Sequence, residues 1–205
     1  MLLFITLAAI IGLVLVFIIF SGKASDPLEK YAGVEFADFI NENDDWVVMD
    51  TETTRLGKNA EVLEISVVDK TGNVLLDTLV NPKGPISRNA QNVHGISRKM
   101  VKSAPPWPEI AKGLQQVTSG RAVIAYNAQF DLDIIRQTCE KWGVEFPLIS
   151  GLCAMKAWSD HIGQRRWCKL IDACAAKGIE IENQHRALGD AEATRRLVLA
   201  IASDK

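Results

Sequence analysis

The segment WVVMDTETTR, residues 46–55, places two acids, Asp50 and Glu52, two positions apart directly after an apolar run. The run predicts a buried strand, and side chains two positions apart in a strand point to the same face, roughly 7 Å from each other. Carboxylates placed in this way repel each other unless a cation, a proton or a basic partner lies between them. The segment therefore predicts a core strand that ends at a site for positive charge.

The N-terminus, MLLFITLAAIIGLVLVFIIF, is an apolar run without a charged side chain. As a helix it would extend about 30 Å, which matches the hydrocarbon core of a bilayer. A cleaved signal peptide is the alternative, but such peptides have basic residues before a shorter apolar run, and here Lys23 and Lys30 only follow it. We therefore expect an uncleaved single-pass anchor over residues 1–22, with the C-terminal domain in the cytoplasm because positive flanks favour that side.

The rest of the chain predicts one folded domain. With 205 residues, 48% of them hydrophobic, the chain can bury one substantial core but is too short for two full-sized domains and an anchor. We expect a linker with a short helical segment over residues 23–44 and the domain over residues 45–205. The net charge of −2 excludes a broad cationic surface, so a nucleic acid would be held locally. The cysteines form no CxxC pair, which favours reduced thiols over a zinc site.

The domain begins with strands and continues with alternating helices and strands. WVVMD, EVLEISVVD and VLLDTLV predict three strands, and KTGN predicts a tight turn between the last two, so the three form an antiparallel meander. A helix precedes the strand RAVIAY, a second helix starts with Asn127 as its N-cap, and FPLI is a candidate last strand. Three helices near residues 154–161, 170–177 and 187–200 close the chain. This order predicts an α/β domain with a mixed sheet and flanking helices.

Two further acids stand at the starts of predicted helices. Asp131 lies in the first turn after the strand RAVIAY, and Asp190 follows His185 by five residues near the start of the last helix. Each acid alone has a simpler explanation, since a carboxylate in a first turn stabilises the helix. If both converge with Asp50 and Glu52, four carboxylates and an imidazole form a site that suits Mg²⁺ or Mn²⁺ and has too few soft ligands for zinc. Two such ions about 4 Å apart would neutralise the repulsion and suit phosphodiester cleavage.

Three ordered motifs resemble those of a known family. DTET at 50–53, NAQFD at 127–131 and HRALGDA at 185–191 are similar to the motifs of the DEDDh (DnaQ-like) 3′-to-5′ exonucleases, relatives of the proofreading epsilon subunit of bacterial DNA polymerase III. The resemblance covers residues 45–201 and includes EVLEISVVD and VHGIS. It implies a ribonuclease H-like exonuclease fold.

The resemblance also implies roles for five side chains. Asp50, Glu52, Asp131 and Asp190 would be the ligands of two Mg²⁺ ions, for which Mn²⁺ can substitute. His185 would be the general base that takes a proton from the attacking water. An imidazole suits that task near neutral pH, and such a base typically contributes about 10²- to 10⁴-fold. The resemblance places the 3′-terminal nucleotide against six further residues: Thr51, Thr53, Leu56, His94, Asn127 and Phe130. For Phe130, a position in the core is the alternative.

Some positions depart from the family pattern or stay open. Arg55 stands where relatives usually have Gly, and Tyr126 stands where many have His, so both bear on substrate preference. The segment QRRWCK could bind a strand through its cations and a stacking aromatic. A solvated loop with a core-facing Trp is the alternative. The residues concerned are Arg165, Arg166, Trp167 and Lys169. For His161 we expect no functional role.

Together these features predict a membrane-anchored, Mg²⁺-dependent 3′-to-5′ exonuclease of the bacterial inner membrane. It would release nucleoside 5′-monophosphates from single-stranded or frayed DNA, with DNA favoured over RNA and no small-molecule cofactor. An RNA-trimming member of the same superfamily and a catalytically silent, membrane-tethered nucleic-acid-binding module are the alternatives. Association with a polymerase is not expected, because no polymerase-binding tail follows the last predicted helix.

Overall fold

The computed structural model describes residues 35–147, 149, 151–164 and 167–204. The predicted membrane anchor, residues 1–22, lies outside these ranges, as does the part of the predicted linker before residue 35. Within the described ranges, no helix is both long and apolar enough to cross a membrane.

A five-stranded mixed sheet forms the centre of the fold, in the order β3-β2-β1-β4-β5. The strands are β1 (Trp46–Thr53), β2 (Val62–Asp69), β3 (Val74–Leu79), β4 (Ala122–Ala125) and β5 (Gly151–Cys153). The pairs β1–β2 and β2–β3 are antiparallel, whereas β4 runs parallel to β1 and β5 runs parallel to β4. The predicted meander and the predicted mixed sheet are therefore confirmed, and the sheet has two strands beyond the three of the meander.

Eight helices are found among the described residues. The three helices predicted at the end of the chain are confirmed, with small shifts at their ends. The bounds are α1 (Phe36–Glu42), α2 (Arg88–His94), α3 (Arg98–Val101), α4 (Trp107–Thr118), α5 (Ala128–Trp142), α6 (Ala154–His161), α7 (Leu170–Ala176) and α8 (Ala187–Ser203).

The two faces of β1 have different environments because side chains alternate along a strand. Val47 and Met49 belong to a fully buried cluster that includes Trp107 of α4 and Ile135 of α5. The opposite face carries Asp50 and, at the end of the strand, Glu52. On that face α8 packs against β1 and β2. The alternation therefore directs the two acids of β1 towards α8.

The first helix, α1, lies in the segment that the sequence assigned to the linker. Its side chains Phe39 and Ile40 are buried, and the amide of Asn41 donates to the carbonyl oxygen of Ala202 in α8 at 3.0 Å. These contacts show that α1 packs against α8.

The prediction of a last strand at FPLI is wrong. Phe146, Pro147 and Ile149 are not in a strand, and Phe146 and Ile149 pack instead against the buried cluster. Pro147 has no N–H to donate to a neighbouring strand, which disfavours the position in a sheet. The last strand comes later, where Gly151 pairs with Val123. A Cβ at Gly151 would lie 2.7 Å from Cδ1 of Leu132, so a larger residue there would require the Leu132 side chain to shift.

Candidate active site

Three of the predicted acids meet where β1 ends and α8 begins. Asp50 and Glu52 lie on β1, and Asp190 lies in the first turn of α8. One carboxylate oxygen from each of the three lies within 4.8 Å of the others. The structure thus brings together acids that are about 140 positions apart in the sequence.

The fourth predicted acid, Asp131, lies beside this group. It is buried in the first turn of α5, and its Oδ1 accepts a hydrogen bond of 2.7 Å from the hydroxyl of Thr51. Its charge is one of the causes that raise the pKa of Asp50. We call Asp50, Glu52, Asp131 and Asp190 the acidic cluster.

Folding raises the pKa values of the carboxyl groups in the acidic cluster. Burial, followed by repulsion from Asp190, Glu64 and Asp131, raises the pKa of Glu52 to about 8. Burial also raises the pKa of Asp131 to about 7. For Asp50, burial and then the charge of Asp131 raise the pKa well above its usual range. Burial, together with mutual repulsion for Asp50 and Glu52, therefore favours the protonated form of these carboxyl groups, and the charge of Arg186 offsets this only in part for Glu52.

The pKa of Asp190 is also raised by burial, although the charge of His185 and a hydrogen bond from its backbone oppose this. The Oδ2 atom of Asp190 accepts that bond from the backbone N–H of His185 at 3.2 Å. Within the described part of the chain, Oδ1 of Asp190 is buried and has no hydrogen-bond partner. A buried carboxylate oxygen of this kind normally has a donor or a cation beside it.

These observations test whether the cluster fits a metal ion. All of its donor atoms are carboxylate oxygens, three of the groups converge, and one buried oxygen has no hydrogen-bond partner among the described residues. Hard divalent cations such as Mg²⁺ and Mn²⁺ prefer oxygen ligands, and zinc sites usually include nitrogen or sulfur. The residues present therefore fit the predicted class of ion.

His185 lies in the loop just before α8. Its backbone is in the left-handed region, with φ of 61°, and its side chain is exposed. The loop comes close to the first turn of α8, because a Cβ on Gly189 would lie 2.2 Å from the carbonyl oxygen of Glu182. The His185 backbone is therefore held close to Asp190 without a bound substrate.

The residues predicted to hold a nucleotide have varied surroundings. Leu56 is 78% exposed in the loop after β1, and Phe130 packs on the buried cluster. The hydroxyl of Thr53 donates to the carbonyl oxygen of Arg55 at 2.9 Å. The hydroxyl of Thr51 donates to Asp131, so the described contact of the Thr51 side chain is with the acidic cluster.

His94 is buried, and both of its ring nitrogens have partners in the backbone. Nε2 lies 3.2 Å from the carbonyl oxygen of Thr53, and Nδ1 accepts from the N–H of Ile96 at 3.0 Å. Asn127 occupies the N-cap position of α5 as predicted, but its side chain makes no capping hydrogen bond. The predicted N-cap position is therefore confirmed, although the Asn127 side chain forms no capping hydrogen bond.

The departures from the family pattern also have contacts. The guanidinium of Arg55 donates to the carbonyl oxygen of Pro85 at 2.9 Å. The hydroxyl of Tyr126 donates to the carbonyl oxygen of Cys168 at 2.8 Å. Trp167 is 66% exposed, so the alternative of a core-facing Trp in QRRWCK is wrong. Arg165 and Arg166 lie outside the described residues.

Sequence reasoning missed one acid and one base beside the cluster. Glu64 on β2 is buried and stands opposite Glu52 in the β1–β2 register, and it pairs with Arg186. A signal existed, because the second Glu of EVLEISVVD interrupts an apolar strand and a buried acid needs a partner.

The sequence model of the exonuclease family (RNase T) matches residues 47–198, a range that includes the acidic cluster and His185. The chain belongs to the exonuclease family. This exonuclease is 36% identical over 172 residues to the uncharacterized exonuclease CP81 of Escherichia phage 186, covering 78% of the chain and 89% of the relative. It is 32% identical over 162 residues to the PolC-type DNA polymerase III of Caldanaerobacter subterraneus, covering 76% of the chain and 11% of that relative.

Solved structures share the fold at low sequence identity. The nuclease domain of 3′hExo, a DEDDh family member bound to rAMP, has a TM-score of 0.67 at 16% identity, covering 78% of this chain and 92% of that one. Exonuclease X in complex with 5′-overhanging duplex DNA has a TM-score of 0.62 at 22% identity, again covering 78% and 92%. The predicted ribonuclease H-like exonuclease fold is confirmed, and so is the predicted enzyme class, a 3′-to-5′ exonuclease.

The raised pKa values predict how stability depends on pH without a metal ion. A carboxyl group whose pKa is raised by folding binds more protons in the folded state, so the free energy of unfolding falls as pH rises towards the folded pKa. For Glu52, with a pKa of about 8, and Asp131, with about 7, the fall covers pH 6.5 to 8. Each proton contributes at most about 1.4 kcal/mol per pH unit.

Urea unfolding of the full chain in EDTA, at several values between pH 6.5 and 8, measures this fall. Below pH 6.5 the lowered pKa of buried His94 acts in the opposite direction, which sets the lower limit of the range. The Glu52→Gln variant is the control, and its slope should be shallower because one titrating group is removed. A free energy of unfolding that stays level or rises between pH 6.5 and 8 would contradict the electrostatic description of the cluster.

Proposed function

We propose that the protein is a divalent-metal-dependent exonuclease that removes nucleoside 5′-monophosphates from the 3′ ends of single-stranded or frayed DNA. The observation that carries this proposal is the convergence of Asp50, Glu52 and Asp190, with the buried Oδ1 of Asp190 unpartnered among the described residues. A group of carboxylates so arranged is suited to cations that neutralise a phosphodiester, and unsuited to binding a phosphate directly because like charges repel.

The four acids of the cluster would hold two Mg²⁺ or Mn²⁺ ions. Bound there, the ions would stabilise the negative charge that develops on the attacking and leaving oxygens of the phosphodiester. Thr51 supports the arrangement, since its hydroxyl fixes the carboxylate of Asp131 at 2.7 Å. A fixed ligand loses less freedom when it binds an ion, so Thr51 acts here as a positioning residue.

His185 would be the general base. Its exposed imidazole can take a proton from a water molecule, and the bond from its backbone N–H to Asp190 keeps it beside the cluster. The water oxygen forms a bond to phosphorus, and the bond from phosphorus to the 3′ oxygen of the preceding nucleotide breaks. That oxygen takes up a proton and remains as the new 3′ hydroxyl, while the terminal nucleotide leaves as its 5′-monophosphate.

The substrate would be held near its 3′ end only. Leu56 offers an exposed apolar surface beside the end of β1, where a terminal base can pack. The net charge of −2 gives no long cationic track for a strand, so local contacts have to suffice. Asn127 adds an amide that its helix does not use.

DNA is the favoured polymer, and RNA is the second candidate. Similarity to a DNA polymerase III of the PolC type and to Exonuclease X, solved with duplex DNA, supports the first. The neighbour 3′hExo, solved with rAMP, supports the second. A test with both polymers decides between them.

A membrane location remains a proposal from the apolar sequence of residues 1–20 alone. Separation of cell membranes from the soluble fraction, for the full chain and for a chain without residues 1–22, tests it. We expect only the full chain to sediment with membranes and to resist extraction with high salt. The same distribution for both chains would refute an anchor.

The activity is tested with the full chain and with 3′-labelled and 5′-labelled single-stranded DNA and RNA, in Mg²⁺, Mn²⁺ or EDTA. We expect stepwise release of mononucleotides from the 3′ end, faster for DNA and abolished by EDTA. His185→Ala should lower kcat by about 10²- to 10⁴-fold, the usual contribution of a general base.

His161→Ala is the matched control. His161 is the last residue of α6 and lies beside Lys177, which follows α7, and Asp204, which follows α8. Its rate should stay within about twofold of the unmodified protein, since surface substitutions away from a site have small effects. No release from either polymer with any metal would overturn the proposed reaction and favour a nucleic-acid-binding module. Equal losses for both histidine variants would refute the assignment of the base.

A further inference from the structure

Glu64 is a buried acid that the proposed reaction leaves without a role. Only 3% of it is exposed, and it faces Glu52 across the antiparallel β1–β2 pair. Its charge contributes to the raised pKa values of Asp50 and Glu52. A fifth carboxylate therefore adds to the repulsion within the cluster, and a buried acid of this kind needs a partner of opposite charge.

The partner of Glu64 is Arg186, the residue that follows His185. The guanidinium donates from Nε to both carboxylate oxygens, at 3.2 and 3.0 Å, and from Nη2 to Oε1. This forked geometry fixes direction as well as distance, which a single ammonium group cannot do. The pair joins the sheet to the loop that carries His185.

Glu64 also supports the start of α8. Its Oε2 accepts a hydrogen bond of 3.0 Å from the N–H of Ala187, the first residue of the helix. Arg186 occupies the N-cap position, but its own side chain makes no capping bond. A carboxylate from a strand thus accepts a hydrogen bond from one of the free N–H groups at the start of the helix, and its charge suits the positive end of the helix.

The loop that is held in this way has an uncommon backbone conformation. Asn183 and His185 both have positive φ, at 54° and 61°, a left-handed conformation that is uncommon outside glycine, although asparagine and histidine adopt it more readily than most residues. The backbone N–H of Arg186 donates to the carbonyl oxygen of Asn183 at 3.1 Å. Without the hydrogen bonds between Glu64 and Arg186, the loop would be free to adopt a more common conformation.

We propose that Glu64 and Arg186 form a latch that positions His185 for proton transfer in the proposed reaction. The latch fixes the loop to β2 directly opposite Glu52, so the β1–β2 register sets where the imidazole lies relative to the acids of β1. Glu64 and Arg186 are positioning residues in this role, since they act through His185. The catalytic half of the inference rests on the proposed function, and the structural half does not.

The first measurement is amide hydrogen exchange of the loop, followed by mass spectrometry on the full chain. Arg186→Met and Glu64→Gln should each speed exchange in peptides covering residues 182–190 by about tenfold or more. Arg195→Met is the matched control, because Arg195 lies on the same helix and forks to Glu192 at 2.7 and 2.6 Å. It should leave exchange in the loop unchanged.

The second measurement is a double-mutant cycle on exonuclease activity. In the unmodified protein, Arg186→Met should lower kcat by about 10- to 100-fold with little change in KM, as expected for a misplaced catalytic group. In a His185→Ala background the same substitution should change kcat by less than about threefold, since the group that it positions is absent. Arg186→Lys, which keeps the charge but not the fork, should be intermediate.

The outcomes separate the latch from the proposed function. If loop exchange does not respond to Arg186→Met, the latch is wrong whatever the activity. If Arg186→Met costs the same factor with and without His185, the pair acts through the helix or the acids, and its positioning of His185 is wrong. If the unmodified protein has no exonuclease activity, the proposed function fails, and faster exchange still supports the structural latch.

Discussion

Repulsion among carboxylates at the end of β1 is the constraint on which the site depends. The alternation of a strand puts Asp50 and Glu52 on one face, and α8 adds Asp190 to that face. Burial increases the effect, because a charge removed from water is costly unless it is compensated. The cluster therefore keeps its protons near neutral pH, with pKa values of about 8 for Glu52 and about 7 for Asp131. A bound cation that replaces those protons would compensate the negative charge of the cluster.

Local patterns in the sequence were sufficient for the acids and for much of the fold. A period of two predicted that Asp50 and Glu52 share a face, and KTGN predicted the turn between β2 and β3. The starts of α5 and α8 were visible from the residues around Asp131 and Asp190. The convergence of these elements required the three ordered motifs of the family, because no local rule says which strand end meets which helix start.

Long-range pairing explains what the sequence did not reveal. Arg186 and Glu64 are 122 positions apart, and only the packing of α8 on β2 makes them partners. The short strand Gly151–Cys153 has a weaker apolar pattern in the sequence than FPLI. Pro147 nevertheless disfavours a strand at FPLI, and Gly151–Cys153 forms the parallel pair with β4. Asn127 stands where a cap is expected but makes no capping bond, and the exposure of Trp167 depends on the path of a loop.

Binding of Mn²⁺ to the full chain, followed through the loss of the free-ion signal in electron paramagnetic resonance, tests the central claim most directly. The cluster should bind Mn²⁺ saturably at pH 8 and more weakly at pH 6, because protons compete for the same oxygens. Asp190→Asn should lower the affinity about tenfold or more, since it removes a charged ligand. Binding that does not saturate, or that is unchanged by pH and by Asp190→Asn, would contradict a metal site formed by these acids.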